Sequence, residues 1–320
     1  MRVKIVSTAR YLPPRIETSV ELAKHIGVSV DWIYKHTGVH QRHVSEEGMA
    51  QMGARAGRAA LGDGPRPDLI INASGVPQQV LPDSSVYIQD AMGFEGIPSF
   101  SVHATCLSFP VALHNASALI HAGAFRRILV VSSELGTRGR NFKEPESASL
   151  FADGAAAVVV EPTPEGEASE VLAFEMSTWP KGADLTEVRG GGTRNHPHDP
   201  TTRPEHNLFH MDGPGVYRMA LRRIPLILGR IYKRANITVN DVKLLILHQA
   251  SGPAVDAAAR FGFRPENVIK RVHEEGNCVA ASIPMVLAHA HREGRLQRGD
   301  LVLLFGTGAG LSVAGLLLRW

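Results

Sequence analysis

The chain has 320 residues, 44% hydrophobic and 20% charged, with a formal net charge of +3. This is the composition of a folded globular protein, too hydrophobic for disorder and too weakly basic to support a nucleic-acid partner. The length exceeds what one hydrophobic core usually reaches, and the two cysteines, Cys106 and Cys278, exclude a disulfide framework and a four-cysteine zinc site.

In chain order, the opening MRVKIVSTARYLPP holds too short an apolar run for a signal peptide, and no later stretch approaches the length of a membrane span. A cytoplasmic protein is expected. DLIINAS (68–74) has the apolar run of a buried parallel strand. SSVYIQDAMGF then predicts a helix, IPSFSV a strand, LSFPVALHNASALIHAGAF a long helix and RRILVVSSE a further strand. From 243 the same order returns. KLLILHQAS predicts a strand, PAVDAAARFGF a helix, ENVIKRV a strand, VAASIPMVLAHAHREGRL a helix and GDLVLLFGTG a strand, with INASG answered by HQASG. The chain therefore reads as a duplicated βαβαβ pattern, with parallel sheets covered by helices.

Ligands of such sheets gather at the carboxyl ends of strands. There the duplication places Cys106 and Asn277 at corresponding positions, each after a strand and before a long helix, with His248 at the end of the strand matching DLIINAS. A cysteine at a helix N-terminus has its thiolate favoured by unpaired N–H groups and the helix dipole. Pro110, in the first turn of that helix, costs no intrahelical bond. His248 and Asn277 offer N–H donors to a carbonyl oxygen that becomes negative. Together the three could hold an acyl group as a thioester and stabilise an enolate, the requirements of carbon–carbon bond formation. A papain-like protease uses the same residue types, but the duplicated α/β pattern argues against it.

These residues lie in segments that resemble the thiolase-fold condensing enzymes, specifically the β-ketoacyl-acyl-carrier-protein synthase III group. The segments are STARYLPPRIETSVEL, VDWIYKHTGVHQRHV, ATCLSF, FADGAAAVVV, LHQASGPAVDAAARFGF, EEGNCVAASIPMVL and FGTGAGLSVAGLLLRW. CLSF and GAGLS are also similar to the olefin-pathway enzymes that join two acyl chains head to head. The resemblance implies an α/β thiolase-like fold of two duplicated halves, 1–165 and 166–320, in five α-β-α-β-α layers, working as a homodimer. It implies Cys106 as the acylated nucleophile and His248 and Asn277 as enolate stabilisers. The oxyanion hole would use the amides of Cys106 and of the turn near Gly308.

The same resemblance places Trp32 against the adenine of coenzyme A. However, His36 and Pro253 stand where the family carries phosphate-binding arginines. Arg218 matches a carrier-docking position, with Arg222 one helical turn on, so thioesters of acyl carrier protein are the expected substrates, in preference to those of coenzyme A. No bound cofactor and no metal are expected. Leu81 aligns with a residue that reaches into the partner's acyl tunnel, where a glutamate serves as base in the olefin-pathway enzymes. His196 and His198 belong to a Pro-rich loop, and Cys278 is a packing residue. The function expected is Claisen condensation of a Cys106-bound acyl group with a malonyl-type or β-ketoacyl thioester, in polyketide or specialised acyl synthesis. The alternatives are acyl transfer to an alcohol or amine and a non-catalytic subunit of a heterodimeric synthase.

Overall fold

The computed structural model describes residues 1–320. Nine strands form two sheets. The first is five-stranded, in the order Val3–Tyr11, Asp153–Pro162, Ile128–Leu135, Leu69–Asn72 and Ser99–Ser101. The second is four-stranded, in the order Leu244–Leu247, Leu301–Gly308, Gly310–Arg319 and Glu170–Gly182.

The alternation of side chains along each strand separates the layers. Leu69, Ile71, Ile128, Val130, Val158 and Val160 of the first sheet share one core with Leu244, Ile246, Val302, Leu304, Leu316 and Leu318 of the second. Filling that core between the sheets are Phe109, Leu113 and Ile120 of helix Ser108–His121 and Ile283, Val286 and Leu287 of helix Ser282–Arg292. The intervening strand residues face outward. Ile70, Leu129 and Val159 pack under helices Met49–Leu61 and Ser84–Ala91, and Leu245, Leu303 and Leu317 under helix Gly213–Ala235. The result is five layers, helix–sheet–helix–sheet–helix, with the two central helices burying apolar side chains against both sheets.

Two expectations are corrected. The sheets are mixed, not parallel: Leu69–Asn72 runs parallel to both of its neighbours, but Asp153–Pro162 and Gly310–Arg319 run antiparallel to theirs. A single residue, Ala309, separates Leu301–Gly308 from Gly310–Arg319, and only an antiparallel pair can be joined by so short a turn. ENVIKRV also forms no strand beyond a single bridge between Val268 and Leu245. Its backbone is satisfied instead by Gln249, whose Oε1 accepts from the N–H groups of Arg271 and Val272 while its Nε2 donates to Ile269 C=O. A side chain thus takes the place of a ladder.

Candidate active site

Cys106 lies in a single 3-10 turn, Thr105–Leu107, that leads into helix Ser108–His121. Ser108 stitches this turn together: its Oγ accepts from Ala104 N–H at 2.9 Å and donates to Thr105 C=O at 2.7 Å. The second half repeats the device with turn Val279–Ala281 before helix Ser282–Arg292. Thr105 and Val279, with φ of 52° and 46°, both sit in the left-handed region that β-branched residues avoid, and SFP (108–110) is matched by SIP (282–284). In this register Cys106 pairs with Ala280, and Asn277 pairs with His103. The expected correspondence of Cys106 with Asn277 is therefore wrong by three residues, because both residues precede a helix but at different steps of the approach.

A closed chain of contacts nevertheless links Cys106, His248 and Asn277. Strand Leu301–Gly308 ends flush against the nucleophile turn: a Cβ at Gly308 would stand 2.6 Å from Thr105 Oγ1, and one at Gly306 would stand 2.9 Å from His248 Cβ and 3.3 Å from Leu107 Cδ2. Only glycine permits that approach. His248 is anchored by its N–H to Phe305 C=O at 3.0 Å. Two residues farther, Ala250 C=O accepts from Asn277 Nδ2 at 3.3 Å, and Asn277 Oδ1 accepts from Val279 N–H at 2.9 Å. With its oxygen held by an amide N–H, the Asn277 side chain has a fixed orientation and keeps one N–H free to donate. The ring closes at Gly75, where a Cβ would stand 2.9 Å from Val279 Cγ1 and 3.3 Å from Thr105 C=O.

The electrostatics differ from the helix-end expectation. Burial pushes the Cys106 thiol up to about 12, and the nearby Glu134 carboxyl adds to the rise, while the amides of Cys106 and Ala309 oppose it by donating toward the sulfur. These two amides are worth less than desolvation plus a like charge. Burial likewise lowers His248 to about 4. The resting pair at neutral pH is a thiol and a neutral imidazole, and His248 Nδ1 has no protein partner.

Two features escaped the sequence reading. Glu134, next to last in strand Ile128–Leu135, is 1% exposed and accepts from Gly75 N–H through Oε1. Burial pushes it up to about 8 against amide hydrogen bonds that favour its charge. Its signal was a carboxylate ending the apolar run RRILVVSSE. The second is the turn amide: the N–H that faces the Cys106 sulfur belongs to Ala309, one residue beyond the expected Gly308, which instead packs on Thr105.

The other expected site residues lie outside this ring. Trp32 already has one face covered by His36, with centroids 4.1 Å apart. His36 in turn faces Glu146, a carboxyl raised first by burial and further by Asp212 and Glu144, with His36 acting in the opposite sense. Pro253 is exposed. Carboxylates thus gather where the resemblance implied a phosphate. Arg218 and Arg222 are exposed at i and i+4 on helix Gly213–Ala235, whereas Arg223 lies over the Trp179 ring at 5.0 Å. Leu81 is 79% exposed on the loop before helix Ser84–Ala91, near exposed Val76 and Val80. Cys278 is buried against Ala152, Ala156, Ala281 and Met285, and His196 and His198 stack on one another in an exposed loop.

Comparison with known proteins returns the same family from several directions. Residues 100–180 match the family model of 3-oxoacyl-[acyl-carrier-protein] synthase III, and residues 232–320 match the model of its C-terminal part. A β-ketoacyl-[acyl-carrier-protein] synthase III of Rhizobium rhizogenes is 33% identical, over 97% of this chain and 96% of its own. The crystal structure of 3-oxoacyl-(acyl carrier protein) synthase III from Pseudomonas aeruginosa superposes with a TM-score of 0.90 at 29% identity, covering 100% of this chain and 98% of that one. The priming β-ketosynthase of the R1128 polyketide pathway does so with a TM-score of 0.89 at 27% identity, covering 99% and 96%.

Proposed function

Because this chain belongs to the 3-oxoacyl-[acyl-carrier-protein] synthase III family of thiolase-fold, acyl-transferring condensing enzymes, we propose that it joins an acyl group held on Cys106 to a malonyl-type thioester. In the first half-reaction the Cys106 sulfur attacks the donor thioester and loses its proton, and the released carrier thiol gains one. The amides of Cys106 and Ala309 receive the oxyanion, in the positions from which they already face the sulfur. In the second, the acceptor loses carbon dioxide, and its enolate oxygen is held by His248 and the free N–H of Asn277. The new carbon–carbon bond forms as the Cys106 thioester breaks, and the returning thiolate takes up a proton.

The observation that carries this reading is the orientation of Asn277. Its Oδ1 is tied to Val279 N–H and its Nδ2 bridges to the Ala250 carbonyl two residues after His248, which fixes the side chain with one N–H left to donate, the donor that this reading assigns to the enolate. Simple transfer to an alcohol or amine has no use for that donor, and a non-catalytic subunit has no use for the nucleophile. Carrier-bound substrates are favoured by exposed Arg218 and Arg222 and by the carboxylates Glu144, Glu146 and Asp212 around His36, which repel coenzyme phosphates. Assembly with a second copy is supported by the outermost strand Ser99–Ser101, with Phe100 39% exposed next to the apolar loop that carries Leu81. A role in polyketide or specialised acyl synthesis is supported by the likeness to the R1128 priming enzyme.

The test is mass spectrometry of the protein incubated with a panel of acyl thioesters. One acyl mass should be gained, mapped to Cys106, and it should be released as a longer product when malonyl thioester is added. Labelling that persists in Cys106→Ala overturns the assignment.

A further inference from the structure

One short segment holds the main chain of Asn277 on both sides. The Asn277 N–H donates to Leu150 C=O at 2.9 Å, and its C=O accepts from Ala152 N–H at 3.0 Å, so that it bridges with Phe151 between them. This segment is the end of helix Pro145–Leu150, just before strand Asp153–Pro162 begins. The last carbonyls of a helix have no partner within it. Leu150 C=O is taken by Asn277, and Ser149 C=O accepts from Arg42 Nη2 at 3.1 Å.

Arg42 is fully buried. It lies on strand Gln41–Val44, directly opposite Glu17 of strand Arg15–Thr18. Its Nη1 donates to Glu17 Oε2 at 3.2 Å and its Nη2 also donates to Ser19 Oγ at 2.9 Å, while Glu17 Oε2 accepts from Arg140 Nη1 at 2.5 Å. Burial lowers Arg42 to about 10 against the opposing charge of Glu17, which leaves it a cation at neutral pH. Gly276, the residue before Asn277, packs on the same group with φ of 66°. A Cβ there would stand 2.7 Å from Ala152 Cβ, 3.2 Å from Leu150 C=O and 3.2 Å from Arg42 Cβ. Stability alone does not call for a cation in this place, since replacing a buried ion pair by apolar side chains is often neutral or stabilising. What a guanidinium supplies is a rigid fork of donors. We infer that Arg42 is a positioning residue for the coupling step: it fixes segment 149–152 and, through it, the main chain of Asn277. The inference rests on the reading of Asn277 as the enolate donor. None of the Arg42 hydrogen bonds reaches the nucleophile turn, which is held by Ser108.

The experiment is a double-mutant cycle of Arg42→Lys with Asn277→Ala, with acylation of Cys106 and coupling of the isolated acyl-enzyme timed separately. Lysine keeps the charge but cannot hold Glu17, Ser19 and Ser149 with one planar group. A misplacement of about 1 Å costs about 10² in rate, so Arg42→Lys should slow coupling by about 10- to 100-fold, in kcat more than in KM. Acylation should be little changed. In the Asn277→Ala background the same substitution should cost coupling less than about twofold, because the donor it positions is already gone. A merely structural role predicts equal losses in both backgrounds, with acylation falling alongside coupling. Either result overturns the inference, and so does wild-type coupling by Arg42→Lys. Glu17→Gln removes the charge that Arg42 and Arg140 share and goes through the same cycle, so a folding failure of Arg42→Lys leaves it decisive. Asn277→Ala alone tests the underlying reading: if it couples at the wild-type rate, the enolate assignment fails and the inference with it. If it is slow and the Arg42 losses are additive with it, only the inference fails.

Discussion

Replacing Asn277 by aspartate isolates the enolate step. The substitution keeps the size of the side chain and the oxygen that accepts from Val279 N–H at 2.9 Å, but it removes both N–H donors. One of these bridges to Ala250 C=O at 3.3 Å, and the other is the donor assigned to the acceptor carbonyl. Loss of a single oxyanion-hole donor costs about 10²–10³ in rate, and a carboxylate beside a developing enolate sets the effect at the upper end of that range. The Ala250 carbonyl, left without its donor and facing a carboxylate oxygen, costs about 1–3 kcal/mol of stability, readable as a lower denaturant midpoint with unchanged slope. The assay is rapid-quench turnover in two stages, acylation of Cys106 and then coupling of the isolated acyl-enzyme with malonyl thioester. Acylation should be little changed, because Ala309 and Cys106 supply its donors. If acylation falls in step with coupling, or coupling proceeds near the wild-type rate, the division of labour derived from this geometry is wrong.

Alkylation of Cys106 by iodoacetamide should rise by about tenfold per pH unit from pH 6 to 8, because a thiol pushed up to about 12 ionises only above that window. A plateau starting near pH 6 would mean a preformed thiolate–imidazolium pair. Glu134→Gln should raise this reactivity at pH 9 and change it little at pH 6. Glu134, itself pushed up to about 8, is protonated at the lower pH and charged at the higher one, where its charge opposes the thiolate. Arg218→Glu should lower kcat/KM for carrier-bound acyl groups by about tenfold at low ionic strength and much less at 0.5 M salt, where screening removes the attraction. An equal loss with the same acyl group on coenzyme A would mean that the helix holds the site together and does not dock a carrier. Phe100→Asp should shift the particle to the mass of a single chain in light scattering, and a wild-type protein already of that mass removes the basis for a shared acyl tunnel at Leu81.

The duplication was legible because it is written in apolar periodicity. DLIINAS and KLLILHQAS carry unbroken apolar runs because both faces of each strand are buried, one in the central core and one under the outer helices, and such a run identifies a buried strand before any contact is known. Strand direction was not legible, because an antiparallel return such as Gly310–Arg319 carries the same apolar pattern as a parallel strand. The missing strand at ENVIKRV was hidden for a related reason: Gln249, remote in sequence, satisfies its backbone.

At the site, the residue types and their motif order pointed to Cys106, His248 and Asn277 without a structure, since acyl transfer and enolate stabilisation demand those side chains at strand ends. Their charge states could not be read the same way. A cysteine before a helix reads as activated, yet the balance between helix dipole and desolvation depends on how deeply Glu134, Leu107 and strand Leu301–Gly308 close around the sulfur. The same holds for the shift from Gly308 to Ala309 and for His36 covering Trp32. Each depends on which atoms from distant parts of the chain come within a few ångströms. Local sequence determined what each segment is and what chemistry its side chains offer, because periodicity and functional groups are local properties. Only the tertiary structure decided which donor faces which atom and how much water remains, because solvation and hydrogen-bond geometry are set by neighbours that the chain supplies from elsewhere.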